Sequence, residues 1–542
     1  MTSLDRRQIT QTFPVWFNAL VREQGPQDLF FEKIGESWQG TSLNAVHDLV
    51  QARANALVSA GLKKGNIVAL IAPNSLNWDI THHACLMVGA VVLGADHHAP
   101  NDYQNAILED SHADFIITDN IQRLENLTFS QKILTFEDLK NAAATPAISF
   151  EVCEQDPAIL TYTSGTTGKP KGIIYTQQQL ILALDALHDH YTEAQDIPPE
   201  ERTMACWLPL SNLFQRMLNL FALDHGFQIY YCPDPLKFMD LLPEIRPAVL
   251  VGVPRLFEKI ADTALRRMKF FPQFMKTFAL RHLIGPAIKK KLGGRIRILA
   301  SGSAKMPSHV LDVFEMAGLT LYELYGMSEN IIPLAGNNRS CHRKGSVGKA
   351  MKYNEIIVQD NGEIAVRSPG LGRRYSKNQT LNGFKKDAFL KTNDFGRMDQ
   401  DGFLYVEGRI DNVIKTSTGL RILCDDLEEK LLAIPDVEQA LVVGSERKLL
   451  TAILVSHAND RKIAQALNEY NRNLPSRYQI CGALVSDIVF SPMNGLATPN
   501  LKLKRNQINE YFSQKIDDLY SDIESHIRKN KHISSPIIRK VS

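Results

Sequence analysis

The first part of the chain alternates between two patterns of hydrophobic positions. Residues 41–66 and 78–90 carry apolar side chains at helical spacing, whereas 67–73 (IVALIAP) and 115–119 (FIITD) are short apolar runs. Similar alternation returns at 239–253 and 296–325. Amphipathic helices that alternate with buried strands are typical of a parallel sheet covered on both faces. We therefore predict an α/β fold built from layered subdomains.

Between residues 345 and 408 the pattern changes to one that is typical of antiparallel strands. The run EIIVQDNGEIAVRS (355–368) places Asn-Gly between two alternating segments, and DQDGFLYVEGR (399–409) uses Asp-Gly in the same way. These dipeptides favour tight β-hairpins. The sequence predicts a small, barrel-like β part at the end of a large N-terminal domain.

A smaller α+β pattern follows Arg409. Apolar runs at 413–423, 440–445 and 451–457 alternate with one helical segment, DDLEEKLLAI. We predict two domains, residues 1–408 and a small mobile domain of residues 409–542. The last residues, SSPIIRKVS, are expected to fray.

Composition places the chain among ordinary globular proteins. It has 542 residues, of which 44% are hydrophobic and 22% charged, with a formal net charge of +2. No basic field indicates nucleic acid as a partner. Seven cysteines without a C-x-x-C pair favour reduced thiols over disulfides or zinc. We expect a cytoplasmic protein, since the N-terminus lacks the features of a signal peptide and no apolar run is long enough to span a membrane.

One segment suggests contact with a membrane surface. Residues 266–291 mix Phe, Leu and Ile with Arg and Lys, a composition that can bind the anionic inner membrane surface. We favour a helix packed on its own domain, because Pro272, Gly285 and Pro286 interrupt a long interfacial helix.

The run TYTSGTTGKPKG (161–172) has the chemistry of a phosphate cradle. Hydroxyls, bare glycine amides and two lysines lie close together in it, and such donors bind polyphosphate. The spacing excludes a Walker A loop and a Rossmann fingerprint. The alternative is a Thr/Gly-rich turn that links two strands.

This string resembles the signature of the acyl-adenylate-forming superfamily of acyl-CoA synthetases, peptide-synthetase adenylation domains and luciferases. Further runs resemble the superfamily's other motifs in the same order along the chain: WLPLSNLFQR (207–216), LYGMSE (324–329), KTND (391–394), GRIDNVIKTSTG (408–419) and PNLKLKR (499–505). RPAVLVGVPRLFEKI (246–260) and ATPNLKLKR (497–505) are most similar to long-chain fatty acyl-CoA synthetases.

The resemblance implies binding sites for ATP and Mg²⁺. Tyr325 stacks on adenine, Asp394 and Arg409 bind the ribose, and Glu329 and Thr166 hold Mg²⁺, which prefers oxygen ligands. Lys502 stabilises the charge that develops at the α-phosphate; Lys504 stays open as an alternative. The remaining nucleotide-binding residues implied are Thr163, Ser164, Gly165, Thr167, Gly168, Lys171, Gly326 and Ser328.

The resemblance also implies a second, thiol-accepting state. Asp411 is the hinge about which the small domain rotates, Lys415 belongs to the thiol-accepting state, and Gly419 lines the thiol tunnel. Asn212 also lines that tunnel, at a position where many relatives have His. Asn393 replaces a family Gly, and Asn tolerates a left-handed backbone better than most residues.

The leading functional hypothesis is ATP-dependent activation of a medium- or long-chain fatty acid, followed by transfer to coenzyme A. Transfer to an acyl carrier protein is the main alternative. A luciferase-type oxygenase is weaker because no sequence feature argues for it, and a binding module without catalysis is weaker because Glu329, Asp394 and the C-terminal lysines are all present. We expect a monomer or a homodimer.

Overall fold

The computed structural model describes most of the chain in eleven ranges. The described residues are 12–129, 131–140, 151–164, 170–268, 280–375, 388–418, 420–472, 474–491, 493–497, 503–530 and 535–541. They divide into two compact units. The first contains the described residues up to Thr392 and Arg397–Val406, and the second contains Asn393–Gly396 and the described residues from Glu407 onward.

The first unit begins with alternating helices and strands. Its elements before the phosphate-binding run are α1 (Phe13–Gln24), β1 (Asp28–Ile34), β2 (Ser37–Ser42), α2 (Leu43–Ser59), β3 (Ile67–Ile71), α3 (Leu76–Met87), β4 (Val91–Gly94), α4 (Asn101–Ser111), β5 (Phe115–Thr118), β6 (Lys132–Thr135) and α5 (Phe136–Lys140). Side-chain caps fix two of the helix starts, since Ser42 accepts from the backbone of Ala45 and Ser75 accepts from that of Trp78.

The alternation continues through the middle of the chain. The elements there are β7 (Pro157–Ser164), β8 (Pro170–Thr176), α6 (Gln177–His190), β9 (Thr203–Cys206), α7 (Leu213–Asp224), β10 (Gln228–Tyr231), α8 (Phe238–Ile245), β11 (Val249–Gly252), α9 (Pro254–Met268), α10 (Gly285–Lys291), β12 (Ile298–Ser301), α11 (Ser308–Met316) and β13 (Leu321–Tyr325).

Short strands follow β13. They are β14 (Ala335–Gly336), β15 (Lys349–Ala350), β16 (Glu355–Val358), β17 (Glu363–Arg367), β18 (Arg373–Arg374), β19 (Leu390–Met398) and β20 (Leu404–Arg409). β16 and β17 pair antiparallel on either side of the Asn-Gly turn, and with β19 and β20 they form the predicted small β part as a four-stranded sheet.

Two large sheets form the scaffold of the first unit. The nine-stranded sheet has the order β15-β14-β13-β12-β11-β9-β10-β1-β2, and the seven-stranded sheet has the order β18-β8-β7-β4-β3-β5-β6. Strands β13-β12-β11-β9-β10-β1 run parallel in one sheet, and β7-β4-β3-β5-β6 run parallel in the other. One hydrophobic cluster contains residues from both sheets and from α1, α2, α3, α6 and α7, so these helices form a buried layer.

The second unit has its own sheet and core. Its elements are a 3₁₀ turn (Ile410–Asn412), β21 (Val413–Lys415), β22 (Arg421–Leu423), α12 (Asp425–Leu432), β23 (Val437–Val443), β24 (Leu450–Ser456), α13 (Asp460–Arg472), β25 (Ile480–Ser486), α14 (Arg505–Tyr511), α15 (Ser513–Asn530) and β26 (Ile537–Val541). The sheet order is β23-β24-β25-β26, and apolar clusters cover both of its faces.

The prediction of a frayed C-terminal tail was wrong. Residues 537–541 form β26, which pairs parallel with β25 from Gly482↔Ile537 to Ser486↔Val541. The ladder satisfies the backbone groups of the tail, and Val541 is buried. A parallel strand pairs with a distant segment, so its partner cannot be identified from local sequence.

The described part of the basic segment packs on its own unit. Ile284 and Ile288 are buried in the cluster beneath α10, whereas Lys289, Lys290 and Lys291 are exposed. Residues 269–279 lie outside the described residues. None of the helices in the described ranges combines the length and the apolar character needed to cross a membrane.

Candidate active site

The predicted phosphate-binding run begins and ends in two antiparallel strands. β7 and β8 pair with Thr163 opposite Lys171 and Ser164 opposite Pro170. Thr163 and Lys171 are half-buried. Gly165, Thr166, Thr167 and Gly168 lie outside the described residues. The described ends of the run therefore belong to paired strands, and its role as a phosphate cradle stays a prediction.

The loop that carries Glu329 follows a central parallel strand. β13 ends at Tyr325, and the chain returns to pair antiparallel with it at β14. Tyr325 is buried in the apolar cluster between these strands and β17. Gly326 and Ser328 are exposed, and Glu329 is half-buried. Ligands commonly bind at the carboxyl ends of strands in sheets of this type.

The Glu329 carboxylate suits a hard cation. Across the described ranges, neither a hydrogen bond nor an ion pair involves this carboxylate, although the backbone carbonyl of Glu329 accepts the N–H of Gly372 at 3.0 Å. A partly exposed, ionisable oxygen donor held on a fixed backbone fits Mg²⁺. Thr166, the second predicted ligand, lies outside the described residues.

Two buried ionisable groups flank this loop. Burial raises the pKa of Glu323 on β13 to about 7, and the N–H groups of Met306 and Gly345 partly oppose that rise. Tyr175 on β8 is fully buried, and burial together with the negative charge of Glu329 raises its pKa well above the ordinary value. The Tyr175 phenol therefore stays a hydrogen-bond donor at neutral pH.

Asp394 and Arg409 come together within the second unit. Asp394 on β19 is buried, and its Oδ1 accepts from Nη1 of Arg409 at 3.2 Å. Asn393 has φ +60°, so the residue that replaces a family glycine adopts the left-handed conformation that asparagine tolerates. The structure thus joins both of the predicted ribose-binding residues.

The predicted hinge residue Asp411 and the predicted thiol-site residue Lys415 lie at β21 or directly before it. Asp411 is in the 3₁₀ turn, where the side chain of its neighbour Asn412 donates to Asp425 at 2.8 Å. Lys415 is exposed at the end of β21. Gly419 lies outside the described residues.

One of the two C-terminal lysines, Lys504, lies at the start of a helix. Lys504 is the N-cap residue of α14, and its N–H donates to the carbonyl of Leu496 at 2.9 Å. Leu503 makes an isolated bridge with Ala497. Lys502 lies outside the described residues, so the choice between Lys502 and Lys504 stays open.

Asn212 caps the start of a helix. It is the N-cap residue of α7, and its Oδ1 accepts the N–H of Phe214 at 3.0 Å. The side chain is otherwise exposed. Its predicted place in a thiol tunnel stays a prediction.

An apolar cavity, whose residues the sequence did not reveal, lies between the nine-stranded sheet and two helices. Val249 and Val251 on β11 and Ile298 and Ala300 on β12 point to the same face, because alternate strand residues share a face. The lining is entirely apolar. The lining residues are Leu187, Tyr191, Met204, Phe214, Leu218, Phe221, Val249, Val251, Ile298, Ala300, Leu324 and Pro333.

Comparison with known families identifies the class of protein. The AMP-binding enzyme model matches residues 19–376, and the model of the AMP-binding enzyme C-terminal domain matches residues 411–524. The chain therefore belongs to the AMP-binding enzyme family, and the resemblance found in its motifs is confirmed.

Curated relatives extend over nearly the whole chain. Long-chain-fatty-acid–CoA ligase FadD15 of Mycobacterium bovis is 26% identical over 561 residues, covering 89% of this chain and 93% of the relative. Human long-chain-fatty-acid–CoA ligase 1 is 26% identical over 586 residues, covering 91% of this chain and 84% of the relative.

Solved structures share the fold. O-succinylbenzoate coenzyme A synthetase from Bacillus subtilis with AMP superposes with a TM-score of 0.73 at 20% identity, covering 91% of this chain and 98% of that one. The A domain of carboxylic acid reductase from Segniliparus rugosus superposes with a TM-score of 0.74 at 18% identity, covering 94% of each chain. The predicted fold class is confirmed.

Proposed function

We propose that the protein activates a fatty acid with ATP and transfers the acyl group to the thiol of coenzyme A. The observation that carries the proposal is the apolar cavity beside β13. Leu324 and Pro333 line it, and they flank the loop with Tyr325 and Glu329 along the chain. The cavity is small, with about 40 Å³ of free volume, so it would hold only part of a hydrocarbon tail, and that part gains the free energy of leaving water. The carboxylate of the acid then lies near the nucleotide loop.

The first step forms an acyl adenylate. A carboxylate oxygen attacks the α-phosphorus, the bond to the bridging oxygen breaks, and pyrophosphate leaves with its electron pair. Lys502 would stabilise the charge that develops on the α-phosphate, a type of interaction that is worth about 3–4 kcal/mol. The Thr163–Lys171 hairpin would orient the phosphates.

Nucleotide and metal binding would use the residues that the resemblance implies. Tyr325 would pack against adenine, and the Asp394–Arg409 pair would bind the ribose hydroxyls. Glu329 and Thr166 would hold Mg²⁺, whose positive charge offsets that of the phosphates. No covalent protein nucleophile is needed.

The second step transfers the acyl group. The thiol sulfur attacks the acyl carbonyl, the bond from the carbonyl carbon to the phosphate oxygen breaks, and AMP leaves while the thiol proton passes to solvent. Rotation of the second unit about Asp411 would bring Lys415 and Gly419 to the acceptor, and Asn212 of the first unit would line the thiol tunnel. The relatives named as CoA ligases support coenzyme A as the acceptor over a carrier protein.

Pyrophosphate release tests this proposal. Purified protein with MgATP is given acids from acetate to oleate, each without acceptor, with coenzyme A, or with a phosphopantetheinylated carrier protein. We expect release that depends on a medium or long acid and multiple turnovers with coenzyme A. Turnover restored only by the carrier protein would contradict the acceptor, and no release with any acid would contradict the enzyme assignment.

The same assay identifies the lysine. Lys502→Ala should lower acid-dependent release at least about a hundredfold, in line with the loss of one charge-stabilising donor. Lys504→Ala is the matched control, two residues away in the same motif. The reverse pattern would assign the role to Lys504.

A further inference from the structure

A phenol near the end of the β7–β8 hairpin and an amide just after that hairpin form hydrogen bonds with two loops. Tyr175, the penultimate residue of β8, is fully buried, and its hydroxyl donates to the backbone carbonyl of Ser328. Gln179 lies in the first turn of α6. Its Nε2 donates to the carbonyls of Pro369 at 2.9 Å and Leu371 at 2.8 Å.

The two loops are also bonded to each other. The N–H of Gly372 donates to the carbonyl of Glu329, and the N–H of Ile331 donates to the carbonyl of Gly370, both at 3.0 Å. Residues 328–331 are therefore held on one side by Tyr175 and on the other by the segment that Gln179 holds. A Cβ at Gly372 would lie 2.7 Å from a Tyr175 ring carbon, so a side chain there would displace this arrangement.

The orientation of one peptide group affects the direction in which the Glu329 side chain leaves the backbone. The Ser328 carbonyl belongs to the peptide that leads into the nitrogen of Glu329, and a fixed carbonyl fixes the plane of that peptide. The Glu329 carboxylate itself has no hydrogen bond or ion pair with any residue in the described ranges. The direction of the carboxylate thus depends on how the backbone of residues 328 and 329 is held. The Tyr175 hydroxyl is the side-chain group that bonds to this backbone.

We infer that Tyr175 is a positioning residue that aims the Glu329 carboxylate at the metal on the nucleotide phosphates, with Gln179 as a second support. This inference rests on the proposed function, in which Glu329 holds Mg²⁺. A phenylalanine at 175 fills the same buried space and removes only the hydroxyl. The effect to look for is therefore on metal-dependent nucleotide binding rather than on folding.

The test compares two equilibrium affinities of the full chain. Dissociation constants for ATP are measured by calorimetry with Mg²⁺ and with EDTA in wild type and in Tyr175→Phe. We expect Tyr175→Phe to weaken MgATP binding about fivefold, the loss of one net hydrogen bond, and to leave binding of metal-free ATP unchanged. An unchanged ratio of the two constants would overturn the inference.

A matched control removes a buried phenol elsewhere. The Tyr520 hydroxyl donates to the carbonyls of Leu449 at 2.8 Å and Val443 at 3.2 Å in the second unit. Tyr520→Phe should therefore leave the ratio of the two constants at the wild-type value. An equal change in both phenol variants would show a general effect of removing a buried hydroxyl and would overturn the inference.

A second variant keeps the test informative if Tyr175→Phe does not fold. Gln179→Glu retains the oxygen that accepts the N–H of Thr176 but loses the Nε2 donor. It should weaken MgATP binding in the same direction, and wild-type affinity would contradict the inference. Pyrophosphate release is measured alongside. A wild type that binds MgATP but releases no pyrophosphate contradicts the proposed function alone, because the binding ratio still reports on Tyr175.

Discussion

Arg409 donates to the carboxylate of Asp394 from Nη1 at 3.2 Å, although 15 positions separate the two residues. β19 and β20 are neighbouring strands of one sheet, which explains why two separated motifs meet. The pair presents a charged, directional acceptor and donor, the combination that binds vicinal hydroxyls well.

The pair predicts a specific effect on nucleotide affinity. Asp394→Asn keeps the size of the side chain and removes its charge, so KM for ATP should rise about tenfold, the loss expected for one charge-assisted hydrogen bond. Asp517→Asn is the control, because it breaks an exposed ion pair with Arg447 in the same unit. Steady-state kinetics at saturating acid measures both. Equal KM values in the two variants would contradict the role of Asp394.

The apolar cavity predicts acid preference. Leu218 lines it, whereas Leu220, also buried on α7, does not. Truncating either residue to alanine should cost about 2–5 kcal/mol of stability. Only Leu218→Ala should shift kcat/KM towards longer or bulkier acids, by about tenfold for one pocket side chain. The same preference in both variants would remove the cavity from the acyl site.

One buried imidazole contributes to the acid sensitivity of the fold. Burial lowers the pKa of His83 on α3 from 6.5 to about 3. The unfolded chain therefore binds a proton below pH 6.5 that the folded chain does not, and stability is lost as pH falls from 6.5 towards 3. The His83 ring packs on Phe13 and Phe17, so phenylalanine suits the site.

His83→Phe should make the fold less sensitive to acid. Between pH 7 and pH 5 the wild type should lose about 2 kcal/mol more unfolding free energy than the variant, from one titrating group. Urea denaturation at the two pH values measures this difference. Parallel losses in both proteins would show that His83 is not the responsible group.

Substitution of Lys415 should affect the second half-reaction but not the first. Lys415 is exposed on β21 and is assigned to the thiol-accepting state. Lys415→Ala should therefore leave acyl-adenylate formation within about twofold of wild type and slow thioester formation from preformed adenylate by at least about tenfold. Lys430→Ala, which removes an exposed lysine of α12, is the control. Rapid-quench assays of each half-reaction compare the variants, and equal slowing of both steps would contradict the assignment.

Much of the fold follows from local pattern. The period-two runs around Asn361-Gly362 predict the β16–β17 hairpin, and the apolar run at 67–73 predicts β3. The tail was misread because β26 pairs with a strand some fifty residues earlier, and no local signal encodes that contact. Non-local pairing is the part of a β structure that a single sequence specifies least.

Some residues of the candidate site could likewise be predicted from the sequence, whereas others could not. Motif residues such as Glu329 and Asp394 could be predicted because the runs that contain them resemble motifs of a known family. The cavity does not stand out, because Leu187, Met204 and Ala300 are ordinary core residues that meet only in the folded chain. Tyr175 is equally hidden, since its acceptor is a backbone carbonyl 153 positions away.

The fate of the carboxylate oxygens tests the central claim most directly. The protein is incubated with MgATP, coenzyme A and a long-chain acid whose carboxylate carries heavy oxygen, and the nucleotide product is analysed by mass spectrometry. The account predicts AMP with one heavy oxygen, because a carboxylate oxygen bonds to the α-phosphorus and stays there when the thiol attacks the carbonyl carbon. Unlabelled AMP, or heavy oxygen in inorganic phosphate with release of ADP, would contradict it.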